Sequence, residues 1–158
     1  MSLIEIITDS KSEEELKRVI DKRIVNNNEV MYIKEKNVEN IKNIKLETII
    51  INSKIENEDI MEKVINNSKY LIINSDYNEN IEKYKINGKK VITYGYNSKS
   101  DITISSVKEE KSMISLQRNI ESIYGKNIEI QEIEANVNCQ INVYNIMIII
   151  ALTILYAK

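Results

Sequence analysis

YLIINSDYNENIEKYKINGKKVITYGYNSKSDITISS, residues 70–106, decides the fold. Residues 70–74 form a β-branched and aromatic run that ends in Asn74, Ser75 and Asp76, and residues 90–94 repeat that pattern and end in Gly95. Between the two strands, Asp76 and Glu79 can cap a short helix with Ile81 and Tyr84 turned inward. A strand, a helical crossover and a second strand form the repeating unit of a parallel sheet.

The same alternation extends toward the start of the chain. Residues 3–8 are an Ile-rich run of the kind buried in parallel sheets. Ser12 and Glu15 match an S-x-x-E capping box, after which Leu16, Val19, Ile20 and Ile24 share one helical face. Residues 29–34 and 47–52 are the next two strands, separated by a polar stretch, 35–45, that is a loop or a weak helix. Ile60, Met61, Val64 and Ile65 then stripe a helix over 57–67. The fold class expected from this order is α/β: a doubly wound, mainly parallel sheet with helices on both faces, in one domain covering 1–158.

Past Gly95 the period changes. Residues 101–107 have the pattern of an edge strand, and Ile114, Leu116 and Ile120 keep a two-residue period up to Tyr124. Gly125, Lys126 and Asn127 suit a turn, and Ile128 and Ile130 begin a return strand, which predicts an antiparallel hairpin beside the parallel sheet. Glu132 and Glu134 fall on that hairpin as a solvated strand face. From 142 to 157 the chain is apolar almost all round, as in a buried helix; a membrane span needs roughly 20 apolar residues, more than this run provides. Burial on every side calls for a cover, and the expectation is a partner subunit, giving a homo-oligomer through this helix.

Composition narrows the chemistry. A chain of 158 residues can bury about 68–70% of the surface it exposes when unfolded, so a core needs no disulfide or metal. Its net charge of −2 provides no basic field for nucleic acid. Histidine is absent, which excludes imidazole as base, nucleophile or ligand. One thiol, Cys139, with scattered carboxylates does not form a zinc shell. A lone cysteine and no signal-like opening segment point to a reduced intracellular compartment, the cytoplasm.

Three motifs occur in order: Asn74, Ser75 and Asp76; VITYGYNSKSDITISS at 91–106; and INVYNIMIIIAL at 141–152. Together they resemble the middle domain of the Mur ligases, in which an N-x-D-D element, a strand ending in Y-G or F-G, and an H-N-x-x-N-x-x-A-A helix appear with similar spacing. The resemblance implies an ATP-dependent amide ligase acting on peptidoglycan precursors through an acyl phosphate and magnesium, with a further C-terminal domain closing on ATP. It also implies that Asn142 and Asn145, with Ile141 at the histidine position, lie near an adenine ring. Asn74 and Asp76 would lie where the carboxyl end of a strand meets a crossover, which is where ligands bind in open parallel sheets. Read from the residues alone, Asn142 is an N-cap, Asn145 bonds a neighbouring loop, and Asp76 caps a helix.

The family's T-G-x-x-G-K-[ST]-[ST] loop is replaced here by ITDSKSEEE, residues 7–15. Lys11 and Ser12 stand where the K-S pair would, yet both glycines are gone, and without them the backbone N–H groups cannot wrap a phosphate. Asp9, Glu13, Glu14 and Glu15 put negative charge where the helix dipole would otherwise attract an anion. The expectation is therefore a non-catalytic Mur-ligase-like domain that works by association and uses no cofactor. Two alternatives are a module binding ATP or ADP weakly at Asn142, Asn145, Asn74 and Asp76, and a partial ligase that needs a partner subunit.

Overall fold

The computed structural model describes residues 2–85, 88–108, 111–135 and 141–158; Cys139 lies outside them. β1 (Leu3–Ile7), β2 (Glu29–Ile33), β3 (Leu46–Ile51), β4 (Ser68–Asn74) and β5 (Lys90–Tyr94) pair in parallel, in the spatial order β5-β4-β3-β1-β2. β6 (Ile102–Lys108) continues the sheet parallel to β5. β7 (Lys111–Leu116) and β10 (Gln131–Ala135) complete it antiparallel, and β8 (Ile120–Glu121) and β9 (Asn127–Ile128) form a separate two-stranded sheet. The chain is thus mixed α/β, with a mostly parallel eight-stranded sheet flanked by helices.

The uninterrupted Ile runs are explained by what covers the sheet. Ile4, Ile6, Ile50, Ile72 and Ile92 join a core with α1 (Ser10–Val19) and α4 (Val143–Leu155). Ile7, Ile49, Ile51, Leu71 and Ile73 join a second core with a 3₁₀ segment (Glu35–Ile41), α2 (Glu58–Asn66) and α3 (Glu82–Lys85). Strands packed on both faces need apolar residues at consecutive positions, and alternation would strand polar groups in one core. Among the described residues no helix is long and apolar enough to cross a membrane.

α4 is buried from Asn145 through Ile149 and again at Ala151, Leu152, Ile154 and Leu155. Its cover comes from its own chain: the sheet, α1 and the β8–β9 hairpin all pack against it. Each fully buried Ile or Leu contributes about 1.5–3 kcal/mol, which α4 gains without a second subunit. The all-round apolar sequence therefore does not by itself require a partner at this helix.

Several expected boundaries move. α1 starts earlier, because Asp9 and not Ser12 is its N-cap: Asp9 Oδ1 accepts the Ser12 N–H at 2.9 Å. It also stops at Val19 and does not reach Ile24, since Asp21 Oδ1 accepts the Arg23 N–H at 2.9 Å and Asn26 and Asn27 take positive φ in the following turn. α3 begins only at Glu82, well past Asp76, and Asp76 does not cap it. The strand expected at 101–107 is not an edge, because β7 and β10 extend the sheet beyond it. The period from Ile114 to Tyr124 is broken between β7 and β8, where Arg118 turns in to a buried Asp101 at 2.6 Å. Ile130, expected in the return strand, is exposed between β9 and β10. Glu132 and Glu134 do lie on a solvated strand face, with Glu134 paired to Lys111 at 2.7 Å.

Candidate functional site

Ligand crevices of open parallel sheets lie at the carboxyl ends of the strands, where the order changes direction. Here that place is between β1 and β3. Thr8, Asn52, Asn74 and Tyr94 stand at the ends of β1, β3, β4 and β5, all of them buried. Tyr94 Oη donates to Asn52 Oδ1 at 2.7 Å, Asn74 Nδ2 donates to the same oxygen at 3.2 Å, and Asn52 Nδ2 donates to Thr8 Oγ1 at 3.1 Å. Asn74 Oδ1 accepts the Asp76 N–H at 3.0 Å. The result is a polar rail joining four neighbouring strands, bonded to itself. Burial holds the Tyr94 hydroxyl well above its usual range, so it stays a neutral donor.

One layer outward, Asp76 plays the part of an anion. Its carboxylate accepts the Tyr96 N–H at 2.7 Å, the Asn97 N–H at 3.1 Å and the Tyr144 hydroxyl at 2.8 Å. Successive backbone N–H groups converging on one point make an anion-binding concavity. A protein carboxylate fills this one. Gly95 permits the approach: a Cβ there would lie 2.7 Å from Asp76 Oδ1, at a φ of 156°. The Tyr144 ring packs against Tyr77 and Tyr96, at centroid distances of 5.3 and 5.5 Å. Burial, and then the Asp76 carboxylate, push the Tyr144 hydroxyl far above its usual range.

The start of α1 is closed in a similar way. Asp9 holds the Ser12 N–H, and Ser12 Oγ donates to Asp9 Oδ2 at 3.3 Å, while Lys11 is exposed. Of the acidic residues expected in the first turn, Glu13 is there and pairs with Lys17 at 2.7 Å. Glu15 is buried and faces α4: its Oε2 accepts the Asn142 N–H at 3.1 Å and Asn145 Nδ2 at 2.6 Å.

The four residues singled out from the sequence thus form two pairs. Asn74 and Asp76 bond each other, and Asn142 and Asn145 both meet Glu15. Asn142 is the N-cap of α4, its Oδ1 accepting the Tyr144 N–H at 2.9 Å. Asn145 is fully buried against α1, a helix where a loop was expected, and its Oδ1 has no hydrogen-bond partner among the described residues. Tyr144, which the sequence reading passed over, links the pairs by reaching Asp76. Asn52 was missed too, although Ile50-Ile51-Asn52 repeats Ile72-Ile73-Asn74 and the repeat marks equivalent strand ends.

Beside Asp76, a cleft of about 350 Å³ opens between Lys54, Tyr77, Asn78, Lys83 and Tyr84. Among the described residues no three Cys, Asp or Glu side chains gather as a metal shell. The arrangement offers hydrogen-bond donors, aromatic faces and, at Tyr94 and Tyr144, neutral phenols. Neither the models of known protein families nor the curated proteins give a match to this chain.

Proposed function

We propose that this chain is a non-catalytic domain with the ancestry of a Mur ligase middle domain, and that it works by associating with protein and not by turnover. One observation carries the reading. Two places at the carboxyl ends of the strands that could hold a phosphate, the start of α1 and the amides of Tyr96 and Asn97, are occupied by the chain's own carboxylates, Asp9 and Asp76. A triphosphate would have to displace them against their charge. The strand order β5-β4-β3-β1-β2 is the one that flavodoxin-like sheets share, so the ancestry is drawn from the three motifs. That ancestry connects the protein to cell-wall precursor chemistry. Its single cysteine supports a reducing, cytoplasmic setting, and its net charge of −2 argues against nucleic acid as partner.

Melting curves with ATP, ADP and adenosine test the proposal. A ligand at a hundredfold excess over its Kd stabilises the folded state by about 2.7 kcal/mol, a readily measured rise in midpoint. The expected result is an unmoved midpoint with all three and no release of phosphate from ATP. The competing reading, a weak adenine-nucleotide module, draws on the cleft beside Tyr77 and Asn78. A rise with adenosine as well as ATP would establish it in place of the first.

A further inference from the structure

The sheet has two outer edges, and they differ in what a second copy would meet. β10 carries Glu132 and Glu134, both exposed. Antiparallel pairing of β10 with itself about Ile133 would set Glu132 opposite Glu134 of the other copy, twice over, and like charges directly opposed are unfavourable. β2 reads Glu29, Val30, Met31, Tyr32, Ile33, with Met31 46% exposed. In the parallel ladder with β1, Glu29, Met31 and Ile33 point their backbone groups inward: Glu29 N donates to Ser2 O at 3.2 Å and Thr8 N donates to Ile33 O at 3.0 Å. The N–H and C=O groups of Val30 and Tyr32 therefore point away from the sheet.

We infer that β2 is a self-pairing edge through which two copies of this chain associate, antiparallel and centred on Met31. That register sets Val30 of each copy against Tyr32 of the other and lets their outward N–H and C=O groups exchange bonds. It places aromatic beside β-branched side chains, brings the two Met31 side chains together on the twofold axis, and opposes no like charges. On the face that carries Val30 and Tyr32, a groove of about 500 Å³ with Ile20 and Val25 in its wall runs beside the strand. It gives the incoming Val30 and Tyr32 an apolar surface to cover. The inference rests on the reading of this chain as one that acts by association, and it moves the contact from α4 to β2.

Light scattering on the full chain over a concentration series, for the parent, Met31→Lys and Met31→Glu, is the test. The parent should dimerise. Each variant alone should dissociate at least about tenfold more readily, because like charges then meet on the axis. An equimolar mixture of the two should regain the dimer as a mixed pair, and that rescue excludes misfolding as the cause. Val30→Pro, which removes an outward N–H and leaves the β1 ladder intact, should weaken the dimer as well. A parent that stays monomeric at every concentration overturns self-pairing, including the outcome in which β2 accepts a foreign strand instead. A dimer that both charged variants leave unchanged overturns this surface while association itself stands. A nucleotide-dependent rise in melting midpoint would sink the underlying reading independently of either result.

Discussion

At position 95 there is no room for a side chain, because the Asp76 carboxylate lies where a Cβ would go. Gly95→Ala should push Asp76 off the Tyr96 and Asn97 amides and cost about 1–3 kcal/mol, read as a drop in the urea midpoint. Asp76→Ala leaves those amides to water. Combined with Gly95→Ala it should be less harmful than the sum of the two, since the clash has gone; an additive pair would refute the contact. Glu5 provides a second residue-scale expectation. It is buried in the middle of β1, and burial raises its carboxyl from 4.5 to about 7. The folded state then keeps a proton that the unfolded chain releases. This stabilising contribution is complete below pH 4.5 and is lost as the pH climbs through about 7, for a total near 3 kcal/mol. Glu5→Gln should therefore match the parent at pH 4.5 and exceed its stability at pH 8.5, as measured by paired denaturation curves.

Among elements, α4 shows most clearly what the sequence could and could not give. Its existence and burial were legible from the uniform run of apolar side chains, because water does not tolerate such a surface and the run is too short to span a membrane, and its cap was legible from Asn142 at the head of that run. What covers it was not legible, since a cover from the same chain and one from another leave the same pattern. Ile149→Asp follows from the observed packing: it should unfold the monomer and not merely separate subunits, visible as loss of the near-ultraviolet circular dichroism signal at every protein concentration. The clamp between α1 and α4 is equally specific. Glu15→Ala leaves the Asn142 N–H and Asn145 Nδ2 without their acceptor in a buried place and should cost about 3 kcal/mol by chemical denaturation. By its spacing from Ser12, Glu15 fits half of a capping box. Sequence alone could not show that Asp9 would cap α1 and release Glu15 to reach across to the other helix.

Over the whole molecule, the parallel half was readable because strands covered on both faces leave unbroken Ile runs; in the antiparallel half the hairpin turning at Gly125 was legible, and the pairing of β10 with β7 was not. The strands of that half are partly exposed, and their limits are set by contacts distant in sequence. Asp101 is the clearest case: it accepts Arg118 Nε at 2.6 Å and the Thr93 N–H at 2.9 Å, and Arg118 Nη2 donates to Val91 O at 2.7 Å. This tie, and not local periodicity, ends β7 and starts the β8–β9 hairpin. Native-state hydrogen exchange should accordingly be slowest at residues 49–51 and 71–73, in the doubly covered strands, and faster across β6, β7 and β10. Arg118→Ala should widen that difference by releasing the buried Asp101 carboxylate.

The unlike margins of the sheet also bear on how far assembly could proceed. A sheet whose two rims both accepted strands could add copy after copy without limit and end as a fibre. With Glu132 and Glu134 disfavouring self-pairing at one rim of the eight-stranded sheet, the pairing proposed at β2 would use up its other rim. Growth then terminates at a closed pair, and crowding adds more pairs without lengthening any of them.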